Sequence, residues 1–219
     1  MKTFPIFRKI LLFVSALSFM SPVSSPSSPL LPAAAPKTIL IFGDSLTAGL
    51  GLDDPSTQAY PALLQKKLAA AGLHYRVVNG GLSGETTAAG LRRIDWMLRE
   101  RVDVFVLALG GNDGLRGILP SVTRANLAGI LAKVRTKYPA AKLVVAGMQM
   151  PPNLGSDYLA AYRAVFPDVA RATGATLIPF LLEGVGGVPE LNQPDGIHPT
   201  AKGHAQVAET VWSVLRTLL

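Results

Sequence analysis

The chain has 219 residues, of which 49% are hydrophobic, and this is enough to bury the core of one domain. Its formal net charge is +7, but no dense basic run is interleaved with aromatic residues, so the sequence gives no support for nucleic-acid binding. Because the chain contains no cysteine, disulfides, a thiol nucleophile, cysteine-ligated zinc and a lipid-modified cysteine are excluded.

The first 35 residues have the pattern of a secretory signal peptide. Lys2, Arg8 and Lys9 form a basic start, an apolar run of 11 residues follows at 10–20, and a Ser/Pro-rich stretch occupies 21–36. The apolar run is short for a membrane span, although a short buried helix or an uncleaved anchor remains the alternative. We expect residues 1–35 to be a signal peptide with a Ser/Pro-rich segment, and the protein to be periplasmic or secreted.

Residues 36–219 are predicted to form a single α/β domain, because strand-like and helix-like segments alternate along them. The strand-like segments are apolar, the first two reading as buried strands, and lie at 39–42, 75–78, 102–109, 142–146 and 176–180. The helix-like segments lie at 61–71, 86–101, 122–138, 156–173 and 200–219. We expect Pro167 to kink or break the fourth helix. Right-handed crossovers then give a three-layer α/β/α sandwich with a parallel sheet.

Polar segments follow the predicted strands. Gly43-Asp44-Ser45 comes directly after the first strand, with Asp44 expected to orient the turn through local hydrogen bonds. The second strand is followed by NGGLSGET at 79–86 and the third by GGND at 110–113, while DGIHP at 195–199 precedes the last helix. Since the carboxyl ends of parallel strands meet at one edge, where α/β proteins bind ligands, we expect these segments to surround one cleft.

These segments supply the parts of a nucleophilic hydrolase. A serine hydroxyl needs a base, and the base needs an orienting group; His198 is the candidate base for Ser45, and Asp195 the candidate partner of its other ring nitrogen. The backbone N–H groups of Ser45 and Gly84 and the side-chain amide of Asn112 are candidate oxyanion donors.

Each segment taken alone also has the composition of an ordinary turn, and their coincidence at one edge favours the catalytic interpretation. His74 and His204 have no such context, so we expect surface or packing roles for them. Leu50, Leu52, Leu115 and Leu154 fall near the expected cleft, either as acyl-chain contacts or as local packing.

The blocks GDSLTAGLG at 43–51, SGET, GGND and DGIHP resemble, in order, the four signature blocks of the SGNH (GDSL) hydrolase superfamily. GGNDGLRG at 110–117, PPNLGSDY at 151–158, LIPFLLEGV at 177–185 and DGIHPTAKGHAQVAE at 195–209 resemble the bacterial periplasmic thioesterase I/lysophospholipase L1/arylesterase branch. The resemblance implies a flavodoxin-like strand order 2-1-3-4-5. It also implies Ser45 as nucleophile, Asp195 and His198 as the rest of a triad, and an oxyanion hole of Ser45, Gly84 and Asn112.

We therefore expect an exported serine esterase of carboxylic acyl esters, with acyl thioesters and lysophospholipids as further substrates. No cofactor or metal is expected, and the protein is expected to be a monomer. Lys2, Arg8 and Lys9 account for three of the seven net charges, leaving 7 − 3 = +4, which is compatible with mild contact with anionic lipid.

Three alternatives stay open at this point. A carbohydrate O-deacetylase uses the same triad, and a catalytically silent binding protein can share the fold. A nucleotide-binding Rossmann protein is disfavoured, because the glycine spacing at 43–51 is not G-x-G-x-x-G and the strand at 75–78 is followed by Asn79 rather than an acid.

Overall fold

A sheet of five parallel strands organises the domain. In the computed structural model, which describes residues 1–3 and 35–219, the strands are β1 Lys37–Gly43, β2 Tyr75–Gly81, β3 Val104–Ala108, β4 Lys142–Ala146 and β5 Thr176–Ile178. Their order is β2-β1-β3-β4-β5, and every neighbouring pair is parallel. The predicted strand order is confirmed. Residues 4–34, which hold most of the predicted signal peptide, lie outside the described part of the chain.

Helices pack on the sheet in two groups, α3 with α8 and α4 with α6 and α7, which confirms the three-layer α/β/α sandwich. The helices are α1 Ser45–Ala48, α2 Pro55–Gln58, α3 Tyr60–Ala70, α4 Thr87–Met97, α5 Gly111–Leu115, α6 Pro120–Lys137, α7 Ser156–Thr173 and α8 Ala201–Leu215. Short 3₁₀ turns lie at Pro152–Leu154 and Pro189–Leu191. Within residues 1–3 and 35–219 no helix is both long and apolar enough to cross a bilayer.

The centre of the sheet supplies the core. Strands β1, β3 and β4 are buried along almost their whole length, as their continuous apolar runs predict. The prediction that the second strand is buried is wrong: most residues of β2 are only half-buried. The physical reason is its place at the edge of the sheet, where β1 is its single neighbouring strand.

Of the kink or break predicted at Pro167, the break is wrong, because α7 continues through this residue to Thr173. A proline removes the hydrogen bond to the carbonyl four residues earlier, here that of Arg163. Arg163 is exposed, so water can take the place of the missing donor. The helix ends instead at Gly174, whose φ of +66° is the left-handed conformation typical of a helix C-terminus.

Candidate active site

Ser45 is the first residue of α1 and lies directly beyond the end of β1. Asp44 caps this short helix: its Oδ1 accepts the Leu46 N–H at 3.1 Å, which confirms the expected local hydrogen bond. The turn packs tightly on β2, since a Cβ at Gly81 would lie 2.3 Å from the backbone nitrogen of Ala48. A glycine at position 81 lets α1 pack closely on the strand ends. This packing places the Ser45 hydroxyl at the carboxyl edge of the sheet.

His198 and Asp195 reach Ser45 from the other end of the chain. The Ser45 Oγ lies 2.9 Å from His198 Nε2, and His198 Nδ1 lies 2.6 Å from Asp195 Oδ2. The second oxygen of Asp195 accepts the backbone N–H groups of Ile197 and His198, each at 3.0 Å. The structure thus brings the three residues into one chain of hydrogen bonds in the order hydroxyl, imidazole, carboxylate.

The charge state of Asp195 suits a partner for imidazolium. Desolvation raises the pKa of this carboxyl, but the hydrogen bonds from the His198 ring and from the backbone N–H groups of His198 and Ile197 outweigh it. The pKa of Asp195 therefore lies below its ordinary value, and the group is a carboxylate at neutral pH.

The candidate oxyanion donors lie around the same cavity as Ser45. Gly84 has a φ of +77°, a conformation that other residues rarely adopt. The Asn112 side-chain nitrogen donates to the Glu85 carbonyl at 3.2 Å and to Asp44 Oδ2 at 3.4 Å. The Gly84 carbonyl in turn accepts from Arg116 Nη2 at 3.1 Å.

The cavity beside Ser45 has a volume of about 580 Å³ and mostly apolar walls. Of the four leucines expected near the cleft, Leu50 and Leu115 line it, whereas Leu52 and Leu154 do not. The sequence did not reveal the rest of the apolar wall, which consists of Leu46, Met148, Met150, Phe180, Leu182 and Ile197. Met148, Met150 and Phe180 follow the ends of β4 and β5, so the argument from strand ends, extended to these two strands, would have found them.

A buried ion pair supports the segment that carries Gly84. Glu85 is 4% exposed, and its carboxylate accepts two bonds from the Arg93 guanidinium, one of them from Nε at 2.7 Å. The same guanidinium donates to the Gly80 carbonyl at 2.8 Å and lies 4.2 Å from the centre of the Phe42 ring. Arg93 therefore ties both ends of the segment 80–85 to α4.

The two other histidines lie away from this chain of hydrogen bonds. His74 is exposed, whereas His204 is buried and its Nδ1 accepts the Tyr60 N–H at 3.3 Å. Burial, together with the nearby His198, lowers the pKa of His204 to about 4. Both positions agree with the expected surface and packing roles.

A serine, a histidine and a carboxylate in hydrogen-bond contact beside an apolar cavity, at the edge of a parallel α/β sandwich, have the arrangement of a serine hydrolase. The sequence model of the GDSL-like Lipase/Acylhydrolase family matches residues 41–206, and the chain belongs to this family. The resemblance to SGNH hydrolases is confirmed.

Two named proteins and a crystal structure are similar to this chain over most of its length. The chain is 46% identical to "Esterase TesA" of Pseudomonas aeruginosa over 187 residues, which cover 85% of this chain and 91% of the relative. It is 37% identical to "Thioesterase 1/protease 1/lysophospholipase L1" of Escherichia coli K12 over 188 residues, covering 85% and 87% of the two chains. The crystal structure of TesA superposes with a TM-score of 0.79 at 46% identity, covering 84% of this chain and 100% of that one.

Proposed function

We propose that this protein is an exported serine esterase that hydrolyses carboxylic acyl esters through an acyl-enzyme intermediate. The proposal depends on two consecutive hydrogen bonds beside an apolar cavity. One joins Ser45 Oγ to His198 Nε2 (2.9 Å), and the other joins His198 Nδ1 to Asp195 Oδ2 (2.6 Å). Nucleophile, base and orienting group lie within the distances that proton transfer requires, with no movement of the backbone.

In the first half of the reaction, His198 Nε2 takes the hydroxyl proton as Ser45 Oγ attacks the ester carbonyl. Asp195 stabilises the imidazolium and keeps the remaining ring proton on Nδ1. The carbonyl oxygen becomes an oxyanion, which the Ser45 and Gly84 N–H groups and the Asn112 amide stabilise. Each donor is expected to matter by about 10²–10³ in rate.

In the second half, His198 passes its proton to the leaving alcohol, and the acyl group stays on Ser45. Water then enters, and His198 removes a proton from it as it attacks the acyl-enzyme. The second oxyanion collapses, Ser45 leaves with the proton from His198, and the carboxylic acid is released. A thioester follows the same path with a thiol as the leaving group.

The apolar cavity supports an acyl chain rather than a sugar as the part of the substrate that is recognised. Leucine, methionine and phenylalanine side chains line the cavity that Ser45 also lines, and removing apolar surface from water contributes about 25 cal/mol per Å². The names of the relatives point to esters, thioesters and lysophospholipids. Acyl esters of medium or long chain are therefore the proposed substrates, and the O-deacetylase alternative has no comparable support.

The test is hydrolysis of p-nitrophenyl esters from acetate to palmitate by the chain without residues 1–35. We expect activity that rises beyond acetate and that Ser45→Ala abolishes while circular dichroism and the melting temperature stay unchanged. Ser121→Ala, an exposed serine of α6, is the matched control and should keep full activity. Activity that survives in Ser45→Ala would remove the proposed nucleophile, and activity on acetate alone would favour the deacetylase.

Export is the second part of the proposal and rests on the basic start and apolar run within residues 1–35. Expression of the full chain and of the chain lacking residues 1–35 in a bacterium, followed by fractionation, tests it. We expect the esterase activity of the full chain in the periplasm or medium and that of the shortened chain in the cytoplasm. If the full and the shortened chain gave the same distribution of activity between the fractions, export would be contradicted.

A further inference from the structure

We infer that Asp44 is a positioning residue whose carboxylate orients the Asn112 side-chain amide toward the oxyanion. The inference rests on the proposed function, because the oxyanion forms only if Ser45 attacks an ester carbonyl. It goes beyond a capping role for Asp44, and it gives this buried acid a part in the reaction although it makes no bond to substrate.

The carboxylate of Asp44 connects α1 with α5, because it contacts Asn112, which lies 68 positions later in the sequence. On one side, Oδ1 accepts the Leu46 N–H at 3.1 Å in the first turn of α1, the helix that begins with Ser45. On the other side, Oδ2 lies 3.4 Å from the Asn112 side-chain nitrogen in α5. The nucleophile and the candidate oxyanion donor are thus held in register by the two oxygens of one side chain.

The orientation of the Asn112 amide depends on what lies around it. An amide has a donor end and an acceptor end of nearly equal size, and its hydrogen-bond partners determine which end faces a given direction. Here both partners of the nitrogen are acceptors, the Glu85 carbonyl at 3.2 Å and the Asp44 carboxylate at 3.4 Å. Together they keep the NH₂ group, rather than the carbonyl oxygen, toward Asp44, the residue next to Ser45.

Both bonds of the Asn112 side-chain nitrogen are long for N–H···O hydrogen bonds. The contact with Asp44 is at the long limit of a hydrogen bond and is the weaker one. In the inferred arrangement the oxyanion shares the hydrogen that points toward Asp44, and the Glu85 carbonyl keeps its bond to the amide.

Asp44 has the charge state that this role needs. The side chain is 1% exposed, and burial raises its pKa to about 6, against the opposing effects of the Leu46 N–H, His198 and Asn112. At pH 8 the group is ionised, so both of its oxygens are acceptors. An asparagine in its place would offer one acceptor and one donor.

Asp44→Asn separates capping from positioning. Asparagine caps a helix as well as aspartate does, so the bond to the Leu46 N–H is retained. Its NH₂ group would face the NH₂ group of Asn112, and two donors cannot bond each other, so the amide would turn. Asp44→Ser is the second variant, because serine is also a good cap but is too short to reach Asn112.

The experiment measures kcat and KM at pH 8 for the wild type, Asp44→Asn, Asp44→Ser, Asn112→Ala and the double variant Asp44→Asn/Asn112→Ala. Asp54→Asn is the matched control, since Asp54 caps α2 through the Ser56 N–H at 3.0 Å and does not line the cavity. It should behave as the wild type.

Because the proposed effect of Asp44 passes through Asn112, the two substitutions should not be additive. We expect either change at Asp44 to lower kcat at least about tenfold with KM within about twofold, and Asn112→Ala to lower kcat about 10²–10³-fold. In the Asn112→Ala background, Asp44→Asn should have almost no further effect on kcat. Circular dichroism and thermal melting of every variant verify that it is folded.

Two outcomes would overturn the inference. Either Asp44→Asn and Asp44→Ser keep the wild-type kcat, or Asp44→Asn lowers kcat by the same factor with and without Asn112. Neither outcome contradicts the proposed serine mechanism, provided that Ser45→Ala is inactive. Activity in Ser45→Ala would instead overturn the proposed function, so the two failures are distinguishable.

Discussion

His204→Asn tests how a buried neutral imidazole makes the stability of this fold depend on pH. The ring is 1% exposed, stacks on Tyr60 with ring centroids 6.3 Å apart, and accepts the Tyr60 N–H through Nδ1. Burial and the proximity of His198 lower the pKa of His204 from 6.5 to about 4. The folded protein therefore resists protonation at a position where the unfolded chain accepts a proton readily.

The sign and size of the effect follow from proton binding. Between about pH 6.5 and pH 4 the unfolded chain binds more protons at this site than the folded protein, so the free energy of unfolding falls as the pH falls. At about 1.4 kcal/mol per pKa unit, the full loss is about 3 kcal/mol. About 2 kcal/mol of it is lost between pH 8 and pH 5.

Urea unfolding of the wild type and His204→Asn from pH 5 to pH 8 measures this loss. Asparagine can accept the Tyr60 N–H but lacks the ring, so the variant should be less stable at pH 8, and the difference should shrink by about 2 kcal/mol at pH 5. Asp44 titrates in both proteins, so its contribution to the free energy of unfolding cancels in the difference between them. His74→Asn, at an exposed site, is the control. A difference that is equal at pH 5 and pH 8 would refute the reasoning.

Three further substitutions test the supports of the site. Gly84→Ala should lower kcat about 10²-fold in the ester assay, because φ of +77° is strained for alanine and the donor N–H would turn away. Arg93→Met should lower the free energy of unfolding in urea by about 3–5 kcal/mol, since it leaves the Glu85 carboxylate buried without its partner. Asp195→Asn should lower kcat about 10³–10⁴-fold with an unchanged melting temperature, because an amide favours the wrong tautomer of His198. An unchanged kcat in Gly84→Ala or Asp195→Asn, or an unchanged free energy of unfolding in Arg93→Met, would contradict the role given to that residue.

The contact between Ser45 and His198 could be foreseen from the sequence because both residues follow segments that end at the same edge of a parallel sheet. Only the number and direction of the strands matter here, and both follow from apolar runs that alternate with helical segments. The exposure of β2 could not be foreseen in the same way. Whether a strand is central or at the edge depends on pairing between distant segments, and the apolar residues of β2 give no sign of it.

Contacts that depend on the path of a loop were beyond sequence reasoning. Glu85 lies before α4 and Arg93 lies within it, and their pairing requires the turn at Gly84 to bring Glu85 back onto α4. The contact of Asp44 with Asn112 likewise depends on how α1 and α5 approach each other. Helices of four or five residues such as α1 and α5 are too short to produce a detectable apolar period.

The hydrogen bond between Ser45 and His198 joins residues 153 positions apart, so the nucleophile meets its base only when the C-terminal part of the chain has docked. Contacts of such high sequence separation are slow to form, whereas helices form early and locally. A chain that has folded up to β4 thus carries a serine without a base. After dilution from urea, esterase activity should therefore return no earlier than the helical circular-dichroism signal.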